Sequence, residues 1–376
     1  MDNSQRTIEL IDTTLRDGAQ SPHVSFSLND KIAIVSILYN AGIRIFEAGI
    51  PVMSPQERND LMKLKKLFPQ CTFIGWCRAN EADIDQACSC GCDCVHISFP
   101  VSSLHMEIIH FTENGILDVM PSLIESVLKK VPSVSIGAQD ASRAELPFLK
   151  KFTSVALNAG AQRIRIADTV GILSPLKTKF LFEELLETVP GKALEFHGHN
   201  DLGMATANTI TALQTGADFA SVTVNGIGER AGNAALEEVV MAITETTSLS
   251  CTFNTNMIAS MCKTVAKITN TYIPHSKPVS GDSVFLHKSG IHCHGLMKNR
   301  TTYEPYNPDT TGHSPSEFCI GTHSGISGIK HILGSDADSV SIETLRLFLK
   351  TIQQIARLQK KSLSENEVRK LFKEFF

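Results

Sequence analysis

The stretch Asn158-Ala159-Gly160-Ala161-Gln162-Arg163-Ile164-Arg165-Ile166-Ala167-Asp168 decides the fold. Gly160 stands where an amphipathic segment stops, and glycine fits the left-handed position that closes a helix. Arg163–Ala167 then reads as a short strand, with Asp168 and Thr169 at its C-terminal end. The same punctuation recurs along the chain. Asn40–Ile43 (Asn-Ala-Gly-Ile), Cys90–Cys92 (Cys-Gly-Cys) and Thr215–Ala217 (Thr-Gly-Ala) each precede another apolar run. Working outward, candidate strands fall at Ile8–Asp12, Ile43–Ala48, Thr72–Trp76, Cys94–Ser98, Val134–Gly137, Arg163–Ala167, Ala193–Phe196 and Ala220–Val224. Longer amphipathic segments separate them, the first opened by Ser27 with Asp30 three residues on, a helix-start signal. Eight strands alternating with helices predict an α/β fold, a closed parallel (β/α)8 TIM barrel. The rival, an open doubly wound sheet, would place a G-x-G-x-x-G loop after an early strand, and none follows the first strand here.

After Thr247 the pattern changes. Helices are expected over Met257–Asn270, Ile342–Leu358 and from Glu365, around a His-, Gly- and Pro-rich stretch from Tyr272 to Gly328. The expected division is a barrel over residues 1–250 and a small, mostly helical accessory subdomain over 251–376.

The 376 residues carry a formal net charge of -4 and no long basic run, which argues against nucleic acid as the main partner. No apolar stretch reaches the roughly 20 residues of a membrane span, and Met1–Arg6 lacks the apolar core of a signal peptide. No membrane partner and a cytoplasmic setting are the expectation. Cys88, Cys90, Cys92 and Cys94 alternate within one short stretch. Four thiols at that spacing do not converge readily on a tetrahedral metal, so they read first as small buried residues.

In barrels of this kind the chemistry sits at the C-terminal ends of the strands. Those ends carry Arg16-Asp17, Glu47, Arg78, Ser98, Gln139, Asp168-Thr169, His197-x-His199 and Asn225. Two imidazoles at i and i+2 leaving a strand point the same way. With one carboxylate they make a ligand set that leaves positions open on a divalent metal. Asp17 ends the first strand and His197 the seventh, close together in a closed barrel. Mixed N/O ligation does not choose among zinc, manganese and magnesium.

Asp12-Thr13-Thr14-Leu15-Arg16-Asp17-Gly18, His197-Gly198-His199-Asn200-Asp201-Leu202-Gly203 and Gly228-Glu229-Arg230-Ala231-Gly232-Asn233 resemble the three signatures of the 2-isopropylmalate/homocitrate synthase family, within the DRE-TIM metallolyases. Ser289-Gly290-Ile291-His292, followed by Tyr303, resembles that family's accessory-subdomain motif. Trp76–Ala79, Val95–Ser98, Leu104-His105, Asp140–Arg143 and Ala231–Val240 are similar to the homocitrate synthase of nitrogen-fixing organisms. The resemblance implies condensation of acetyl-CoA with a 2-oxo acid, followed by thioester hydrolysis. It implies one divalent metal on Asp17, His197 and His199, with Asn233 a weaker ligand, and a cation able to polarise the oxo group. Arg16 would face the developing alkoxide. Gln20 and Thr169 would bind the oxo acid, and His292 and Tyr303 would help remove the methyl proton. It also implies a homodimer in which the accessory subdomain of one chain reaches over the barrel of its partner.

Three departures stand out. Gln139 replaces a glutamate of the acid–base relay and cannot take and return a proton as a carboxylate does. Ala19-Gln20 replaces Glu-Gln, and Gly321-Thr322-His323-Ser324-Gly325 replaces Gly-Lys-His-Ser-Gly.

The chain's end at Phe376, without the length of a leucine-regulatory domain, favours 2-oxoglutarate as co-substrate, giving homocitrate. Arg78 is then the expected partner of its distal carboxylate. Isopropylmalate, citramalate and Re-type citrate formation are the alternatives. An acyl-CoA lyase or aldolase is disfavoured by Gly228–Asn233 and by Ser289–His292, and Gln139 leaves room for a non-catalytic paralogue.

Overall fold

The structure is a computed structural model, and it describes residues 5–189 and 193–375. The chain divides into two compact units, Met1–Ile273 and Pro274–Phe376.

The first unit is a closed barrel of eight parallel strands in chain order. They are β1 (Glu9–Asp12), β2 (Ile45–Gly49), β3 (Thr72–Arg78), β4 (Cys94–Pro100), β5 (Ser133–Gln139), β6 (Arg163–Asp168), β7 (Leu194–Gly198) and β8 (Phe219–Val222). All eight lie within a few residues of the positions expected from sequence. The eighth stops at Val222, before the turn Val224–Gly226, where Asn225 takes φ 60°. The expected seventh strand begins at Ala193, the first residue described after 190–192. Gly42, Gly91, Gly160 and Gly216 all have positive φ, at the ends of the helices that feed β2, β4, β6 and β8. Ser27 and Asp30 form a reciprocal capping box on the helix Leu28–Ala41, satisfying two of the amides a helix start leaves orphaned.

The barrel interior is layered. At the N-terminal end, Ile11, Ile74 and Cys94 form an apolar plug with Ile45 and Phe219 against it. Above it the interior turns polar. Glu47 on β2, Arg165 on β6, Glu195 on β7 and Ser221 on β8 are all buried and joined by ion pairs and hydrogen bonds. Interiors of this fold usually fill with branched apolar side chains, so a charged layer is a departure that needs a use.

The barrel unit runs past the boundary expected at residue 250. The helix Ile258–Thr269 packs on the helix Leu28–Ala41, and Cys262 O accepts from Asn225 Nδ2 at 2.9 Å. Its apolar face (Ile258, Met261, Cys262, Val265) is buried, which ties it to the barrel.

The second unit is mostly helical. Helices Gly290–Lys298, Ile326–Leu333, Ile342–Gln359 and Glu365–Phe375 enclose a core that includes Ile329, Ile332, Phe348, Ile352, Val368 and Phe372. Leu286–His287 pairs in parallel with Glu317–Phe318. Among the described residues, no helix is long and apolar enough to cross a membrane.

Cys90 and Cys92 donate to the carbonyls of Gln86 and Ala87 at 3.1 and 3.2 Å, along the helix end that precedes β4. Burial pushes both thiols up, away from the thiolate form a metal would need.

Candidate metal centre and substrate pocket

The site begins with the turn after β1. Thr13 O accepts from the amides of both Arg16 and Asp17, at 3.1 and 2.9 Å. The Thr14 hydroxyl donates to Asp12 Oδ2 (2.8 Å) and accepts from Val224 N (3.0 Å), locking the turn to the end of β8. Arg16 and Asp17 are thereby presented side by side, both buried.

Asp17 Oδ2 lies 3.0 Å from His197 Nε2 and 3.4 Å from His199 Nε2. Among the described residues this is the one group of three acidic, His or Cys side chains whose ligand atoms cluster, all within 4.8 Å of one another. The chemistry of the donors fits a cation. His199 Nδ1 donates to Thr169 O at 2.8 Å, so the neutral ring has its lone pair on Nε2, facing a carboxylate oxygen. Two acceptors aimed at each other in a buried place call for a positive charge between them. Asp17 Oδ1, His199 Nε2 and Asn233 Oδ1 are buried without hydrogen-bond partners. Burial alone would push the Asp17 carboxyl up; the Arg16 guanidinium beside it outweighs this and holds it well below the usual range. Burial pushes His197 down to about 4 against the pull of Asp17, so its imidazole is neutral near pH 7, as a ligand must be. Asn233 approaches because Gly228 has no side chain: a Cβ there would collide with Asn233 Nδ2 and come within 3.3 Å of Asp17 Oδ1.

The loop from Gly228 to Asn233 is bolted in place by Arg230. Its guanidinium forks onto Asp201 with two bonds of 2.8 Å and donates to Thr169 O at 2.8 Å. That carbonyl is the one that fixes the His199 ring.

Above the triad opens a pocket of about 290 Å³. Of the residues expected from sequence, Arg16, Asp17, Gln20, Gln139, Thr169, His197 and His199 line it. Arg16 Nε donates to Glu47 Oε1, and its Nη1 to Asp17 Oδ2 at 3.1 Å. The Thr169 hydroxyl accepts from Asp140 N at 2.8 Å, which leaves its own hydrogen free to donate into the pocket.

Arg78 is not in this lining. It forks onto Asp83 (Nε to Oδ2 2.8 Å, Nη2 to Oδ1 2.9 Å) with its side chain 67% exposed. Asp83 lies in the first turn of the helix after β3, capped by Asn80, and draws the guanidinium outward. His292 and Tyr303 belong to the second unit, where their rings stack at 4.1 Å and 23°.

Other groups in the lining were not singled out as site residues from sequence: Trp76, His96, Gly137, Arg165, Glu229 and Arg230. Arg165 is the largest omission. It sits inside a strand rather than at its end. The available signal was period-two alternation, which puts Arg163, Arg165 and Ala167 on one face of β6.

The comparisons place the chain in a family. The HMGL-like family model matches residues 7–265, and the homocitrate synthase post-HMGL domain-like model matches residues 279–360. The solved structure of HMG-CoA lyase from Bacillus subtilis superposes with a TM-score of 0.64 at 19% identity, covering 72% of this chain and 96% of that one. At that identity the likeness shows the fold alone, the closed (β/α)8 barrel. The chain belongs to the HMGL-like family and, within it, to the 2-isopropylmalate/homocitrate synthases. It is 37% identical over 370 residues to 2-isopropylmalate synthase 2 of Caldanaerobacter subterraneus subsp. tengcongensis, covering 98% of this chain and 96% of that protein. It is 38% identical over 331 residues to the homocitrate synthase of Frankia alni, covering 88% and 94%. It is 36% identical to the (R)-citramalate synthase of Methanocaldococcus jannaschii, covering 94% of this chain and 72% of that protein.

Proposed function

We propose that the protein condenses acetyl-CoA with 2-oxoglutarate, giving homocitrate and, after hydrolysis of the thioester, free CoA. The observation that carries this reading is the lining of the pocket beside Asp17, His197 and His199. Its apolar side chains are Trp76 and Ala167, Gly137 presents only backbone, and the other lining residues carry polar or charged groups. A branched apolar oxo acid would bury its methyl groups against His96, Ser98, Gln139 and Arg165 and strip them of water without replacing the lost hydrogen bonds. A dicarboxylic one would not.

Asp17, His197 and His199 would hold one divalent ion, with Asn233 at its edge; zinc, manganese and magnesium all suit this donor set. When bound, such an ion supplies Lewis-acid polarisation of the oxo group. Arg16, pinned by Glu47, keeps a fixed positive charge where negative charge develops on oxygen. Thr169 donates its hydroxyl hydrogen to the oxo acid, and Gln20 closes the rim. Gln139, at the end of β5, holds the place of a carboxylate but can only hydrogen-bond. His292 and Tyr303 assist removal of the methyl proton of the acetyl group. The protein works in the cytoplasm as a homodimer, with these two residues supplied across the interface.

The test is thiol release from acetyl-CoA by metal-loaded protein with 2-oxoglutarate, 2-oxoisovalerate, pyruvate and oxaloacetate, and product identification by mass spectrometry. Homocitrate is the expected product. Faster formation of 2-isopropylmalate, citramalate or citrate would reassign the substrate, and no thiol release with any acid would refute the condensing reading.

A further inference from the structure

Two motifs of the sequence have no part in the chemistry above, Leu104-His105 and Asp140–Arg143. They meet at one carboxylate. Asp140, the residue after β5, is fully buried. It accepts from Ser102 Oγ and from the Arg143 guanidinium, with Nε 2.9 Å from both carboxylate oxygens and Nη2 2.7 Å from Oδ2. Arg143 Nη2 also donates to His105 Nε2 at 3.4 Å. Ser102 in turn caps the helix Ser103–Ile108 that follows β4. The carboxylate therefore ties the end of β5 to the segment after β4.

The backbone at Asp140 is strained. Its φ of 64° and ψ of 38° are left-handed, a region where non-glycine residues are uncommon and Asp and Asn enriched. Such a conformation persists only where the surroundings over-determine it, and Ser102 and Arg143 do so here.

What the strain secures is the orientation of one peptide plane. The Gln139–Asp140 peptide carries its carbonyl and its amide as a rigid unit. Gln139 O accepts from Val101 N at 3.0 Å, and Asp140 N donates to Thr169 Oγ1 at 2.8 Å. One plane thus joins the ends of β4, β5 and β6. A hydroxyl that accepts from an amide keeps its own hydrogen to give, and Thr169 lines the pocket. The carbonyl of Thr169 is held separately, by His199 Nδ1 on the metal side. Turning the plane would release the hydroxyl and leave the metal side in place.

We infer that Asp140 is a positioning residue: anchored by Ser102 and Arg143, its amide holds the Thr169 hydroxyl as a donor to the 2-oxo acid. This rests on the condensing reading above, in which Thr169 meets the oxo acid, and deepens it.

The experiment titrates metal-loaded protein with 2-oxoglutarate and with pyruvate, which both carry the 2-oxo carboxylate. Thr169→Val should weaken both by about 10–100-fold, the range set by a hydrogen bond to a charged group. Asp140→Ala removes the anchor and disfavours the left-handed backbone. It should weaken both acids alike, by about 10-fold, and leave metal affinity unchanged. In the Thr169→Val background, Asp140→Ala should cause no further loss, because the hydroxyl it positions is gone. A merely structural role would make the two losses add. If Asp140→Ala does not fold, Arg143→Gln loosens the same anchor and should give a smaller loss of the same pattern. Additive losses, or a fall in metal affinity equal to that for the acids, would overturn the positioning role. So would unchanged binding in Asp140→Ala, though the condensing reading would then still stand. A wild type that binds metal but neither acid would sink both.

Discussion

His199 Nε2 faces Asp17 Oδ2 across 3.4 Å while the other nitrogen of the same ring donates to Thr169 O. The hydrogen bond on the far side fixes the tautomer, and the tautomer aims a lone pair at a carboxylate. Second partners of this kind orient metal-binding histidines.

Added divalent metal should therefore raise the melting temperature, since a ligand at about 100 times its Kd stabilises by about 2.7 kcal/mol. His197→Ala and His199→Ala should lose both the metal content and the shift while keeping the circular dichroism of the apo fold. Full metal occupancy in both variants, measured by elemental analysis, would rule the site out.

Glu47 joins Arg16 to Arg165, and its loss should be felt in stability before activity. Burial alone would raise its carboxyl, but Arg16 and then Arg165 hold it well below the usual range. Glu195 is lowered too: burial opposes, and Arg165 and Arg163 prevail. A depressed folded pKa means stability that is present above the unfolded value, about 4.3, and lost as pH falls below it. Glu47→Gln should destabilise by about 3–5 kcal/mol at pH 7, the cost of breaking a buried pair. Its urea midpoint should then depend less on pH below that value than the wild-type midpoint does. Parallel curves for the two proteins would contradict the assignment.

Gln139 lines the pocket in the place of a family glutamate. If it impairs the proton relay, turnover is slower by about 10²–10⁴-fold, the usual worth of general acid–base help. Gln139→Glu should then raise kcat and leave oxo-acid Kd nearly unchanged, because the gain belongs to the transition state. Weaker binding of the true substrate with kcat unchanged would instead make Gln139 a substrate contact.

Asp17→Ala and His292→Ala lie in different compact units of the chain. If active sites are shared between protomers, mixing the two inactive proteins under subunit exchange should restore part of the activity. Labelled chains that demonstrably exchange without any recovery would place each site within one chain.

The sequence alone carried the barrel, because period and punctuation are local. Gly42 and Gly160 end helices with positive φ, and each strand lies within a few residues of where one was read. It also carried the triad, since His197 and His199 leave one strand in the same direction and Asp17 follows another, in the turn after β1. The tertiary structure decided what depends on rival partners. Arg78 was read as a substrate ligand from its place at a strand end, but Asp83, five residues on, captures it in a forked pair. Arg165 went unread because a charge inside a strand is tolerable only where other strands supply Glu47 and Glu195, residues distant in sequence. The helix Ile258–Thr269 passed for part of the accessory unit because its apolar stripe shows that it must pack, not against what. Local signals determine which elements form and which side chains share a face. Which charge meets which is set by distances across the closed barrel, and those exist only once it has closed.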